Sequence, residues 1–146
     1  MYKFEKECEV SGQANVNDIW NLYEEVSNWV LWDKSLKKVD LEGDFVDNTK
    51  GTMIFAMDNM PPLMFTLSDV FKNQRFVSTA TLNGIEVATD HIIETQENGF
   101  CKIRHIVTVQ GPIEEMVQGI GMGLTSKLEL FMQNLMDIVS RDKNNV

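Results

Sequence analysis

After Gly111-Pro112 the chain carries one continuous apolar stripe, in which Ile113, Val117, Ile120, Leu124, Leu128, Phe131, Leu135 and Val139 step by three or four. Glu114, Gln118, Lys127 and Glu129 fall largely off it. That spacing predicts a single long amphipathic helix from about Ile113 to Ser140. Such a helix must lay its stripe on an apolar partner, and nearly everything from Leu36 to Gln110 reads as strand, so the partner is an antiparallel sheet. A curved sheet closed over one long helix can leave a cavity between them. Binding of a small ligand is therefore the leading functional expectation. Gly119, Gly121 and Gly123 sit in the first half of the helix, each weakening it by about 1 kcal/mol relative to Ala. Either the helix starts late or bends there, or the missing side chains make room for a ligand or a close backbone contact. On the second reading they mark a mobile entrance to a pocket rather than a phosphate loop.

The preceding segments read clearly by period. Tyr2, Phe4, Cys8 and Val10 alternate with Lys3, Glu5, Glu7 and Glu9, a strand with one wet face. Asn15 or Asn17 can cap a helix through Val16, Ile19, Trp20, Tyr23 and Val26. Ser27-Asn28 breaks it, and Trp29, Val30 and Trp32 form a second, short helix. Strands follow near Leu36–Glu42, Gly51–Met57, Leu63–Phe71, Phe76–Leu82, Ile85–Thr95 and Phe100–Gln110. Their connections carry turn chemistry at Asp47-Asn48, Asp58-Asn59, Lys72-Asn73-Gln74, Asn83-Gly84 and Glu97-Asn98-Gly99. With no repeat, linker or low-complexity segment, residues 1–146 read as one domain, with 141–146 a frayed polar tail.

Hairpin closure at Asn83-Gly84 sets Leu82 against Ile85, Thr79 against Ala88 and Val77 against Asp90. Closing the next hairpin over Gln96–Gly99 sets Thr95 against Phe100 and Asp90 against His105. An Asp-His pair would then stand on the inner wall among Ala88, Ile92, Ile103, Val107 and Val109, with His91, Lys102 and Arg104 on the outer face. Such a pair can orient an imidazole for general acid or base work, anchor a ligand, or simply satisfy itself. A slip of one residue separates the two.

Composition narrows the classes. A net charge of −9, with no basic cluster beyond Lys37-Lys38, gives no surface for collecting phosphates, so nucleic acid and anionic membranes are excluded as expected partners. No apolar run reaches a membrane span and no leader pattern opens the chain. Cys8 and Cys101, without CxxC spacing, fit reduced thiols in the cytoplasm. The two histidines lack metal-ligand spacing, and neither a metal nor another cofactor is expected. Gly119-Ile-Gly121-Met-Gly123 follows no strand directly, lacks the last spacing of a dinucleotide fingerprint and is not followed by GK[ST]. Met53, Met57, Met60 and Met64 cluster around one hairpin and Met116, Met122, Met132 and Met136 lie on the long helix, thioethers that suit core gap-filling or a loosely specific pocket.

The order strand, helix, helix, six antiparallel strands, long C-terminal helix resembles the START-like, or helix-grip, superfamily, and within it the polyketide cyclase/dehydrase-like group of small bacterial proteins. Val16-Asn-Asp-Ile-Trp20, Trp32-Asp33-Lys-Ser-Leu36, Gly51 and Gly111-Pro112 carry the resemblance, in that order, over almost the whole chain. It implies an α+β fold, a curved sheet of about seven strands gripping the last helix, and a cavity for a lipid, polyketide, isoprenoid or other apolar molecule. The expected pocket lining is Trp32, Phe55, Met57, Phe65, His105, Met116, Ile120 and Leu124. The alternatives are a cyclase, aromatase or dehydratase with Asp90 and His105 as its acid/base candidates, and a protein-interaction module such as a chaperone co-regulator. Neither ligand identity nor oligomeric state is legible.

Overall fold

A computed structural model describes the backbone of residues 1–144 and the side chains of residues 1–140, so the polar tail expected over 141–146 lies largely outside the described residues. The chain opens with β1 (Tyr2–Gln13), whose alternation leaves Glu5, Glu7 and Glu9 exposed and Val10 buried. α1 (Val16–Glu24) follows, capped by Asn15, whose side chain accepts from the Asn17 amide at 2.8 Å. A 3₁₀ turn over Val26–Asn28 leads into the single turn of α2 (Trp29–Trp32).

Six strands come next: β2 (Leu36–Leu41), β3 (Lys50–Phe55), β4 (Leu63–Phe71), β5 (Arg75–Leu82), β6 (Ile85–Thr95) and β7 (Phe100–Gly111). They join β1 in one antiparallel sheet of seven strands in the order β1-β7-β6-β5-β4-β3-β2. The chain meanders from β2 to β7, and β1 returns alongside β7 to leave β1 and β2 as the edges. Asparagine does the left-handed work in the turns: Asn48, Asn59, Asn73, Asn83 and Asn98 all have positive φ, each in a segment expected to turn. Asn83 and Gly84, at φ 52° and 78°, close the β5–β6 hairpin as a primed two-residue turn. Register irregularities in β2 and at Asp69 of β4 accompany the curvature of the sheet.

The expected C-terminal helix is present but interrupted. α3 (Glu114–Thr125) and α4 (Leu128–Asn144) are separated at Ser126 and Lys127. Thr125 donates its hydroxyl to the Gly121 carbonyl at 2.8 Å, and Ser126 donates to that of Gly123 at 3.1 Å. Hydroxyls bonded back onto the preceding turn bend a helix without ending it. Both segments pack on the sheet, α3 across β1 and β7 and α4 across β1. Gly121 explains part of the glycine run: a Cβ there would collide with the Phe4 ring of β1, whereas Gly119 and Gly123 face open space.

Candidate ligand-binding site

Two features lie on the concave side of the sheet, and they do different things. The first is a solid aromatic and imidazole cluster. Tyr23, on the inward face of α1, reaches across to β7, where its hydroxyl and His105 Nε2 share a hydrogen bond of 2.8 Å. His91 stands directly across from His105 on β6, their ring centroids 4.6 Å apart, and stacks on Phe76 at 4.0 Å with the rings nearly parallel. Trp29 donates its indole N–H to the Tyr23 carbonyl at 2.8 Å, and Trp32 packs edge-on against both Tyr23 and His105.

Burial holds all the titratable members of this cluster uncharged. The His91 imidazole is pushed down to about 4, because removal from water disfavours its cation more than the Phe76 carbonyl and nearby Asp90 favour it. The same loss of hydration, with His91 alongside, takes His105 well below its ordinary value, and burial raises the Tyr23 phenol far above its own. A carbonyl can only accept, so in the 3.3 Å contact between His91 Nδ1 and the Phe76 oxygen it is the imidazole that donates.

The expected Asp90–His105 pair does not form. Thr95 pairs with Cys101 rather than Phe100, because Glu97–Gly99 forms a 3₁₀ turn and Phe100 closes the loop by accepting from the Gln96 amide. That one-residue shift puts Asp90 opposite Ile106 and turns the whole inner set of β6 from Ala88, Asp90 and Ile92 to Val87, His91 and Ile93. Asp90 instead accepts a two-pronged bond from Arg75 on the outer face, at 2.8 and 3.3 Å. Lys102 and Arg104 do lie on that outer face, where Arg104 reaches Glu7 at 2.7 Å and Glu94 at 2.9 Å.

The second feature is an apolar cavity of about 410 Å³ between β3–β6 and the α3–α4 kink. Phe55, Leu63, Ala80 and Val87 form its sheet wall, and Ile120, Leu124 and Phe131 its helix wall. Met57, Met60 and Pro61 stand at the loop after β3. Of the expected lining, Phe55, Met57, Ile120 and Leu124 are brought together here. Trp32, Phe65 and His105 are not, since they are almost wholly buried in the aromatic cluster and its surroundings. Met116 is partly exposed on α3, outside the lining.

Ser35, Ser126 and Lys127 supply the cavity's polar groups and were not anticipated. Ser35 donates its hydroxyl to Asp33 at 2.5 Å, and burial raises that carboxyl while the bonds from Ser35 oppose the rise. Lys127 interrupts no pattern in the sequence; it acquires its place only because the helix kinks beside it. Among the described residues no three His, Cys, Asp or Glu side chains are grouped to hold a metal ion, and no helix is long and apolar enough to cross a membrane.

Neither a protein-family model nor a curated protein matches the chain by sequence. Solved structures do match by shape. A START superfamily protein from Mycobacterium smegmatis aligns over 94% of this chain and 97% of its own at a TM-score of 0.75 and 9% identity. Norcoclaurine synthase from Thalictrum flavum, solved with dopamine and hydroxybenzaldehyde, aligns over 96% and 88% at 0.72 and 15% identity. Ara h 8.0201 aligns over 96% and 99% at 0.72 and 12% identity. At these identities the likeness concerns the fold, and it agrees with the strand order and the helix packing: the chain has the START-like helix-grip fold.

Proposed function

We propose that this protein binds a small hydrophobic or amphipathic molecule in the cavity between the sheet and the α3–α4 kink. The observation that carries the reading is the cavity itself: about 410 Å³, within the range of small-molecule sites and lined mainly by aliphatic, thioether and aromatic groups with a few polar ones among them. Norcoclaurine synthase holds small aromatic molecules on the same fold, which supports a ligand for this chain without naming it. The acid/base alternative loses its pair, since Asp90 and His105 lie on opposite faces of the sheet. The interaction-module alternative would want an apolar patch with no cavity, whereas here the exposed Met57, Met60 and Leu124 belong to a cavity lining. Two cysteines without disulfide spacing fit action in the cytoplasm.

Native mass spectrometry of protein purified from its own host tests the proposal. A co-purifying small molecule is expected, and Val87→Trp, which fills the sheet wall of the cavity, should remove it while the fold persists. Protein that is empty in every preparation and displaces no apolar fluorescent dye would count against ligand binding.

A further inference from the structure

On the ligand-binding reading above, we infer that the cavity takes a single-chain amphiphile with an anionic head, the chain lying against Phe55, Leu63, Val87 and Phe131 and the anion meeting Lys127. Among the described residues Lys127 is the one charged side chain in the lining, on a protein of net charge −9. The other lining groups able to donate a side-chain proton are two serines, and both protons are already committed: Ser35 to Asp33 and Ser126 to the Gly123 carbonyl. Only the Lys127 ammonium is left to meet an acceptor on the ligand. It forms no ion pair among the described residues, whereas Arg75, Lys102 and Arg104 of the sheet all have carboxylate partners. Asp33 stands behind Ser35 rather than in the lining and spends one oxygen on the Ser35 amide and hydroxyl.

A cation beside an apolar hollow discriminates heads by charge. A carboxylate or phosphate gains a charge-assisted bond, a neutral alcohol gains an ordinary one and a quaternary ammonium is repelled. The chain supplies most of the affinity, about fourfold for each methylene until the hollow is full.

Titration calorimetry on the whole chain, below micellar concentrations, compares dodecanoate, dodecyl phosphate, dodecanol and dodecyltrimethylammonium. At least one of the two anions should bind about tenfold or more tighter than dodecanol, and the tighter identifies the head. The advantage should shrink as salt is raised. Lys127→Gln, whose amide still donates to a neutral head, should bring the anion to within about threefold of dodecanol and weaken the anion far more than dodecanol, and Lys127→Arg should keep the preference. Dodecanol or the ammonium binding as tightly as both anions, or an anion advantage that survives Lys127→Gln, overturns the head-group assignment and leaves the cavity reading standing. Failure of all four probes overturns both.

Discussion

Tyr23 and His105, 82 positions apart in sequence, share a buried hydrogen bond of 2.8 Å that ties the first helix to β7, the strand beside the β1 edge of the sheet. Its length and burial make it a stability element, and removing one partner leaves the other dry and unsatisfied. Tyr23→Phe should therefore destabilise the fold by about 1–3 kcal/mol, read from urea unfolding at constant slope. A change below about 0.5 kcal/mol would mean that His105 finds another partner.

Acid should weaken the fold through the paired imidazoles. His91 falls from its ordinary 6.5 to about 4 on folding. Above 6.5 it is neutral folded and unfolded and contributes no pH dependence. As pH drops from 6.5 toward 4 the unfolded chain takes up a proton that the folded protein refuses, so stability declines; at pH 5 the loss from His91 is about 2 kcal/mol. His105 adds in the same direction, and Asp33, raised by burial, acts oppositely. Unfolding midpoints at pH 7.5 and 5 check this, and His91→Phe should flatten the decline.

The three glycines of α3 should respond differently to alanine. Gly121→Ala drives a methyl into the Phe4 ring and should cost about 1–3 kcal/mol. Gly119→Ala and Gly123→Ala meet nothing and should each stabilise by about 0.5–1 kcal/mol. Thermal melts of the three variants give the comparison, and a uniform response would remove the distinction.

Hydrogen exchange should separate the two C-terminal segments. α3 carries all three glycines, while α4 buries Leu128, Met132, Leu135, Met136 and Val139. Amides of residues 114–124 should exchange faster than those of 130–139, and a bound amphiphile should slow the first set. Equal protection in the apo protein would show that Gly121 locks α3 as firmly as α4.

The fold was legible because its signals are redundant: two periods, several asparagine turns and a Gly-Pro boundary all agree. The site was less so. Both hairpins around β6 were located, but the parity of a strand hangs on the loop, and Gln96–Phe100 holds one residue more than the tight closure assumed. A corrective signal was present in the first hairpin, whose register sets His91 opposite the large apolar Phe76 and so marks His91 as inward. Tyr23 was visible only as one more apolar position of α1, since nothing local announces a partner on β7. Lys127 was beyond reach, because its place depends on a kink made by two hydroxyls in three dimensions.

Among the described residues β1 has β7 on one side and no strand on the other, so twelve residues of backbone form an open margin of the sheet. Such margins invite a second copy to add on. In the two-fold register centred on Glu7, a second β1 would bring Glu5 against Glu9 and Glu7 against itself, at an inter-strand spacing of roughly 5 Å. A strand added there would set a second row of carboxylates beside one whose charges Lys3, Lys102 and Arg104 already hold, so on that face, among the described residues, the margin offers its open backbone without offering a free cation to go with it.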